Sequence, residues 1–207
     1  MSPGRLEAFS DGVLAIIITI MVLELHVPEA AEIGALRDMV PIFLSYLLSF
    51  FMVAIYWVNH HHMIKMVKTV NAELLWSNIN LLFWISFFPF GTAYLGEHKL
   101  TTLSVALYAV VSFMAAAAFF WLRRSIMGTH KGNKDLEEIN RQLEAKNFLA
   151  ITIYLLAIVV AFVSPVLSII LVIFPGVMYI IPEKRVERVL VAEHIRTLES
   201  QEVASRM

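Results

Sequence analysis

Residues 147–182, NFLAITIYLLAIVVAFVSPVLSIILVIFPGVMYIIP, run for 36 positions without an aspartate, glutamate, lysine or arginine. As one helix at 1.5 Å per residue the run would be roughly 54 Å long, nearly twice the ~30 Å of hydrocarbon in a bilayer. Ser164-Pro165 stands near its middle, where proline removes a helical hydrogen bond and turns the preceding residue toward extended backbone. The run therefore predicts a hairpin of two membrane crossings, about 147–164 and 166–182.

Outward from the hairpin the pattern recurs at ordinary length. Residues 39–64, 74–96 and 100–122 are uncharged windows of 26, 23 and 23 residues, and they predict crossings at about 39–62, 74–96 and 100–122. The first window is shorter: only the 12 residues between Asp11 and Glu24 are uncharged, about 18 Å of helix. Glu7 and Asp11 beside a single Arg5 do not make the basic leader of a signal peptide. The segment is expected to stay as a sixth crossing, about residues 8–27, its charged ends facing other helices or water-filled vestibules rather than lipid. Such a helix belongs near an axis.

Composition agrees with a membrane solvent. The 207 residues are 59% apolar and 16% charged, with no cysteine and a net charge of −1, which excludes a disordered chain, a disulfide-stapled secreted module and a basic nucleic-acid binder. The expected fold is an all-α integral membrane protein with a six-helix domain over residues 1–182 and a cytoplasmic C-terminal helix or tail over 183–207. Residues 128–146 read as a turn and a charged cytoplasmic helix, with Lys134-Glu138 and Glu137-Arg141 at i,i+4 spacing. Six crossings put both termini on one side, and that side holds 14 of the 16 lysines and arginines. The positive-inside rule makes it cytoplasmic. Net charge then divides into +2 within and −3 without, and an acidic outer mouth favours cations.

The sequence is poor in signatures of chemistry. HExxH, G-x-S-x-G, P-loop and GxGxxG motifs are absent, and so is the TVGYG filter of familiar potassium channels. No six- or seven-residue motif recurs, which argues against a duplicated secondary transporter. His60, His61 and His62 are consecutive; on a helix they point about 100° apart, so at most two could converge on a metal, and no cysteine completes a set. A membrane metal protein or enzyme built on them is therefore the weaker alternative, and a proton- or cation-coupled transporter the other. Polar residues inside the crossings, Asn78 and Asn80 among them, read mostly as packing. On a helical wheel of the first crossing, Arg5, Phe9, Gly12, Ile16, Thr19, Ile20 and Leu23 share about 100° of arc. In a bundle of subunits this stripe could face the centre, although lipid or helix packing would use it equally well.

Arg5-Leu6-Glu7-Ala8-Phe9-Ser10-Asp11-Gly12, leading into an Ile/Leu-rich helix, resembles the R-x-x-x-F-S-D signature of the transmembrane protein 175 family of potassium channels. Trp57-Val58-Asn59-His60-His61 and Leu81-Leu82-Phe83-Trp84-Ile85-Ser86-Phe87-Phe88-Pro89-Phe90 fit the same family. The resemblance implies that the first helix lines a pore, with Ile16 as the hydrophobic constriction, Thr19 supplying a hydroxyl and Leu23 the next apolar layer, and Ile20 belongs to the same stripe. It implies that Arg5, Phe9, Ser10 and Asp11 form a network with neighbouring helices that includes His61 and Asn80, holding the pore helix in place. Ser10-Asp11 also reads as a helix N-cap. The single signature implies a homotetramer around one central pore without a P-loop filter. The expected protein is a potassium-preferring channel of a prokaryotic plasma membrane, with no cofactor beyond the permeant ion and no nucleic-acid partner.

Overall fold

The computed structural model describes residues 2–28, 32–67, 69–128 and 134–180, with the side chains of 134–140 and 142 left aside. Those residues form eight helices: α1 Pro3–Leu23, α2 Ile33–Asp38, α3 Val40–Ile64, α4 Ala72–Ile85, α5 Phe88–His98, α6 Thr102–Met127, α7 Lys134–Val160 and α8 Pro165–Ile180. Five spans are long and apolar enough to cross a bilayer: α1, α3, α4 with α5, α6, and Leu143–Val160 of α7. The apolar α8 is shorter, at 16 residues. The expected tail at 183–207 lies outside the described residues, as do most of the turn before α7 and the side-chain pairs Lys134-Glu138 and Glu137-Arg141.

The hairpin turns where proline requires it. Helix α7 ends at Val160, Ser164 accepts the Leu167 N–H through its side chain, and α8 begins on Pro165. Toward the N-terminus α7 is one continuous helix from Lys134, so the charged segment before 147 and the apolar one after it share a helix, whose apolar span begins at Leu143. The third crossing, expected as one helix over 74–96, is two. Pro89 has no N–H to give to Ile85, the ladder closes early with Phe87 N–H on the Trp84 carbonyl, and α5 starts afresh at Phe88.

Helix α1 also departs from expectation. It begins at Pro3, with Ser2 at the N-cap position in extended backbone and making no side-chain cap bond, and ends at Leu23, so the helix starts before position 8 and does not reach 27. Ser10 and Asp11 are therefore seven and eight residues inside the helix and cannot be its N-cap. Ser10 instead donates back to the Leu6 carbonyl at 2.9 Å.

Helix α6 is the centre of the bundle and packs on α4, α5, α7 and α8. Its buried face carries Ala106, Ala109, Ala115 and Ala118 with Ser104 and Ser112, small residues that let neighbouring backbones come close. Gly96 does the same for α5: a Cβ there would lie 2.8 Å from Ser45 Oγ and 3.0 Å from the Ile42 Cα of α3. Backbone cannot yield as a side-chain tip can. Gly96→Val is expected to destabilise the fold by about 1–3 kcal/mol, read as a lower unfolding midpoint of the detergent-purified protein; an unchanged midpoint would show that α3 and α5 do not pack this closely.

Candidate functional site

Helix α1 has two unlike faces. Leu6, Ser10, Leu14, Ile17 and Met21, at spacings of four, four, three and four, are buried against α3, α4 and α5. Arg5, Phe9, Gly12, Ile16, Thr19, Ile20 and Leu23 are exposed along the opposite side, with Ile16 at 59% and Leu23 at 74% of full exposure. The stripe that the helical wheel collects is thus a real, uncovered face of the protomer. Thr19 Oγ1 gives its proton to the Ile16 carbonyl at 2.8 Å, and its oxygen remains able to accept on the exposed side.

What fixes this orientation is a set of polar bonds on the signature segment. Asn78 of α4 is fully buried; its Nδ2 donates to Ser10 Oγ at 2.9 Å, and its Oδ1 accepts from His60 Nε2 at 2.7 Å. Beside this chain, Trp57 Nε1 donates to Asp11 Oδ1 at 2.9 Å, and His61 Nδ1 meets Glu7 Oε1 at 2.7 Å. Glu7 and Asp11 are one turn apart on α1, Trp57 and His61 one turn apart on α3, and the pairing runs in opposite directions along the two helices. They make two rungs of an antiparallel helix pair, with the Trp57 and His61 rings stacked at 6.2 Å.

Of the residues expected in a network, the structure brings some together and leaves others apart. Ser10, Asp11 and His61 all join it. Asn80 does not: among the described residues its place is taken by Asn78, because Leu74, Asn78, Leu81, Leu82 and Ile85 form the buried stripe of α4 and Asn80 lies only half-buried beside it. Arg5 and Phe9 sit on the open face of α1 rather than between helices. Glu7, Trp57 and His60 were not expected in the network. The i,i+4 spacing of Glu7-Asp11 and of Trp57-His61 is the signal in the sequence that would have found two rungs.

A second polar layer lies nearer the other end. Tyr108 Oη and Ser49 Oγ are 2.9 Å apart, Thr92 Oγ1 is 2.5 Å from Ser49 Oγ and 2.6 Å from the Phe88 carbonyl, and Met21 Sδ of α1 is 3.8 Å from Thr92 Oγ1. Thr92 has one proton to share between Ser49 Oγ and the Phe88 carbonyl, and either Tyr108 or Ser49 can donate in the bond between them. Metal ligation is a poor use of the consecutive histidines, since His60 and His61 each hold a hydrogen bond to a different helix.

These features define a class: a polytopic helical membrane protein whose first helix is pinned on one side by polar bonds and left bare on the other. Residues 5–89 match the family model described as the endosomal/lysosomal potassium channel TMEM175. A protein named a potassium channel from Chryseobacterium sp. (strain P1-3) is 43% identical over 190 residues, 92% of this chain and 98% of that one. Another of that description from Chamaesiphon minutus is 34% identical over 180 residues, 80% of this chain and 87% of its own length. The crystal structure of a lysosomal potassium-selective channel TMEM175 homolog from Chamaesiphon minutus superposes with a TM-score of 0.75 at 30% identity, covering 86% of this chain and 95% of that one. The chain belongs to the TMEM175 family.

The pinning makes a direct test. Asn78→Leu leaves the Ser10 hydroxyl and the His60 N–H without their partner in an apolar interior and is expected to cost about 1–3 kcal/mol of stability, whereas Asn80→Leu is expected to stay within about 0.5 kcal/mol of the native protein. Thermal unfolding of the two variants side by side decides it, and equal losses would mean that Asn78 does not bridge the helices.

Proposed function

We propose that four copies of this chain form a potassium-preferring cation channel in a prokaryotic plasma membrane, with both termini cytoplasmic and α1 of each subunit lining the pore. The observation that carries the reading is the bare stripe of α1. A protomer that holds Ser10, Asp11 and Glu7 inward by three hydrogen bonds to α3 and α4 has committed Ile16, Thr19, Ile20 and Leu23 to face away from itself. Membership of a family whose relatives are named potassium channels supports a path for ions as the occupant of that face. The same membership speaks for a channel rather than an enzyme.

In the proposed tetramer Ile16 and Leu23 form stacked apolar rings with Thr19 between them. A ring narrow enough to exclude water stops ions because the cost of dehydration is not repaid, and a modest widening rewets it. Potassium loses water more easily than sodium, and four Thr19 oxygens still able to accept would meet a partly dehydrated cation. The apolar rings thus serve as gate and filter together. The α8 helix would make the sixth crossing, its 16 residues and about 24 Å of length accommodated by local thinning or tilt of its surroundings.

Ile16→Asn places a polar side chain in the constriction. In potassium-loaded vesicles it is expected to raise cation flux and lower the preference for potassium over sodium. Fluxes of both ions identical to the native protein would remove Ile16 from the pore, and saturable, stoichiometric exchange would replace the channel by a transporter. Chemical cross-linking in the membrane is expected to end at a tetramer; a ladder that ends at a dimer would overturn the four-subunit arrangement.

A further inference from the structure

On a helical wheel the face of α3 that carries Met52, Ile55 and Asn59 is opposite to the face that carries Trp57 and His61. That far side borders a partly open groove between α3, α6, α7 and α8, with a cavity volume of about 30 Å³. The lining is ordered along the membrane normal. Asn59, Asn147 and Tyr179 lie toward the helix ends that carry Lys65 and Lys146, and Met52, Ala116 and Gly176 lie toward the bilayer middle.

The polar end is incomplete. Asn147 is 3% exposed; its Oδ1 accepts from the Tyr179 hydroxyl, while its Nδ2 is buried with no acceptor among the described residues. A buried amide N–H without an acceptor costs free energy that an incoming carbonyl would recover. A cation stands at the same end: the Lys146 ammonium is 4.7 Å over the Tyr179 ring. One unmet donor, an apolar trough running inward from it and a positive charge beside it match an ester carbonyl, its hydrocarbon tail and a phosphate.

We propose that this cavity binds one acyl chain of an anionic bilayer phospholipid. The ester carbonyl accepts from Asn147 Nδ2, the chain runs toward Met52 and Gly176, and the headgroup phosphate rests by Lys146. The site stands on the face of α3 away from the α1 rungs, so it is independent of the pore assignment.

The test uses the full chain in phosphatidylcholine vesicles containing a trace of phosphatidylglycerol or phosphatidylcholine with a diazirine in the acyl chain. After photolysis, mass spectrometry of peptides is expected to find the label on residues 52–59 and 147–154, with the phosphatidylglycerol probe favoured, and Lys146→Gln is expected to make the two probes equal. Ala150→Leu, which fills the cavity, is expected to reduce labelling there about tenfold while labelling at the exposed Phe162 and Val163 stays the same. Equal labelling by both probes in the native protein, or undiminished labelling of the filled variant, overturns the proposal. Should Ala150→Leu fail to fold, Ile55→Trp on the half-buried wall decides by the same criterion.

Discussion

Everything in this fold follows from one costly placement: Arg5, Glu7, Ser10 and Asp11 sit inside a helix that continues directly into the bilayer. A charged or hydrogen-bonding side chain in hydrocarbon costs several kcal/mol unless it is paired or faces water. The chain meets the cost by lining partners along two other helices at matching one-turn intervals, Trp57 and His61 on α3 and Asn78 on α4. The partners are themselves held, His60 by Asn78 and His61 by stacking on Trp57. Removing Asn78 would leave the buried Ser10 oxygen and the buried His60 ring nitrogen each without this partner, so those two bonds stand or fall together.

The rungs fix rotation as well as position. Turning α1 by one residue, about 100°, would carry Ser10 and Asp11 out of reach of Asn78 and Trp57 and bury a different set of side chains. The bare stripe from Phe9 to Leu23 is therefore the necessary complement of the pinned face. Apolar periodicity alone has no such power here: nearly every residue of α1 beyond Gly12 is apolar, and a helix apolar all round gives no preferred direction. Polar residues, few and specific, supply the direction that hydrophobicity does not.

That difference explains what was legible in the sequence. Uncharged windows and the Ser164-Pro165 break place the crossings and the hairpin, because length against bilayer thickness is a one-dimensional question. The break at Ser86-Phe87 is written in Pro89, although the uncharged window runs straight through it. Ser10-Asp11 reads as a cap because the uncharged run starts after it; the helix starts seven residues sooner, at Pro3, and Glu7 and Asp11 find partners on α3 that make helix tolerable there. The choice of Asn78 over Asn80 depends on which face of α4 is buried, a tertiary fact, although the Leu74, Leu81, Leu82, Ile85 spacing points to it. The hydroxyl chain from Tyr108 through Ser49 to Thr92 joins three helices and left no local trace at all.

Restraint on α1 is uneven along its length, and this bears on how a pore lined by it would open. The half that holds Glu7, Ser10 and Asp11 is tied by bonds of 2.7–2.9 Å to α3 and α4. The other half has a sulfur contact of 3.8 Å from Met21 to Thr92 and apolar packing, and Thr92 belongs to α5, a separate helix from α4. Charge-assisted and buried polar bonds resist displacement far more steeply than a thioether contact does. In the proposed channel a movement of α1 would therefore pivot about the signature segment, with Leu23 swinging through a wider arc than Ile16. The Ile16 ring, nearest the pivot, would be the layer that changes diameter least, and a filter that must discriminate between ions by their hydration is best placed where the wall moves least.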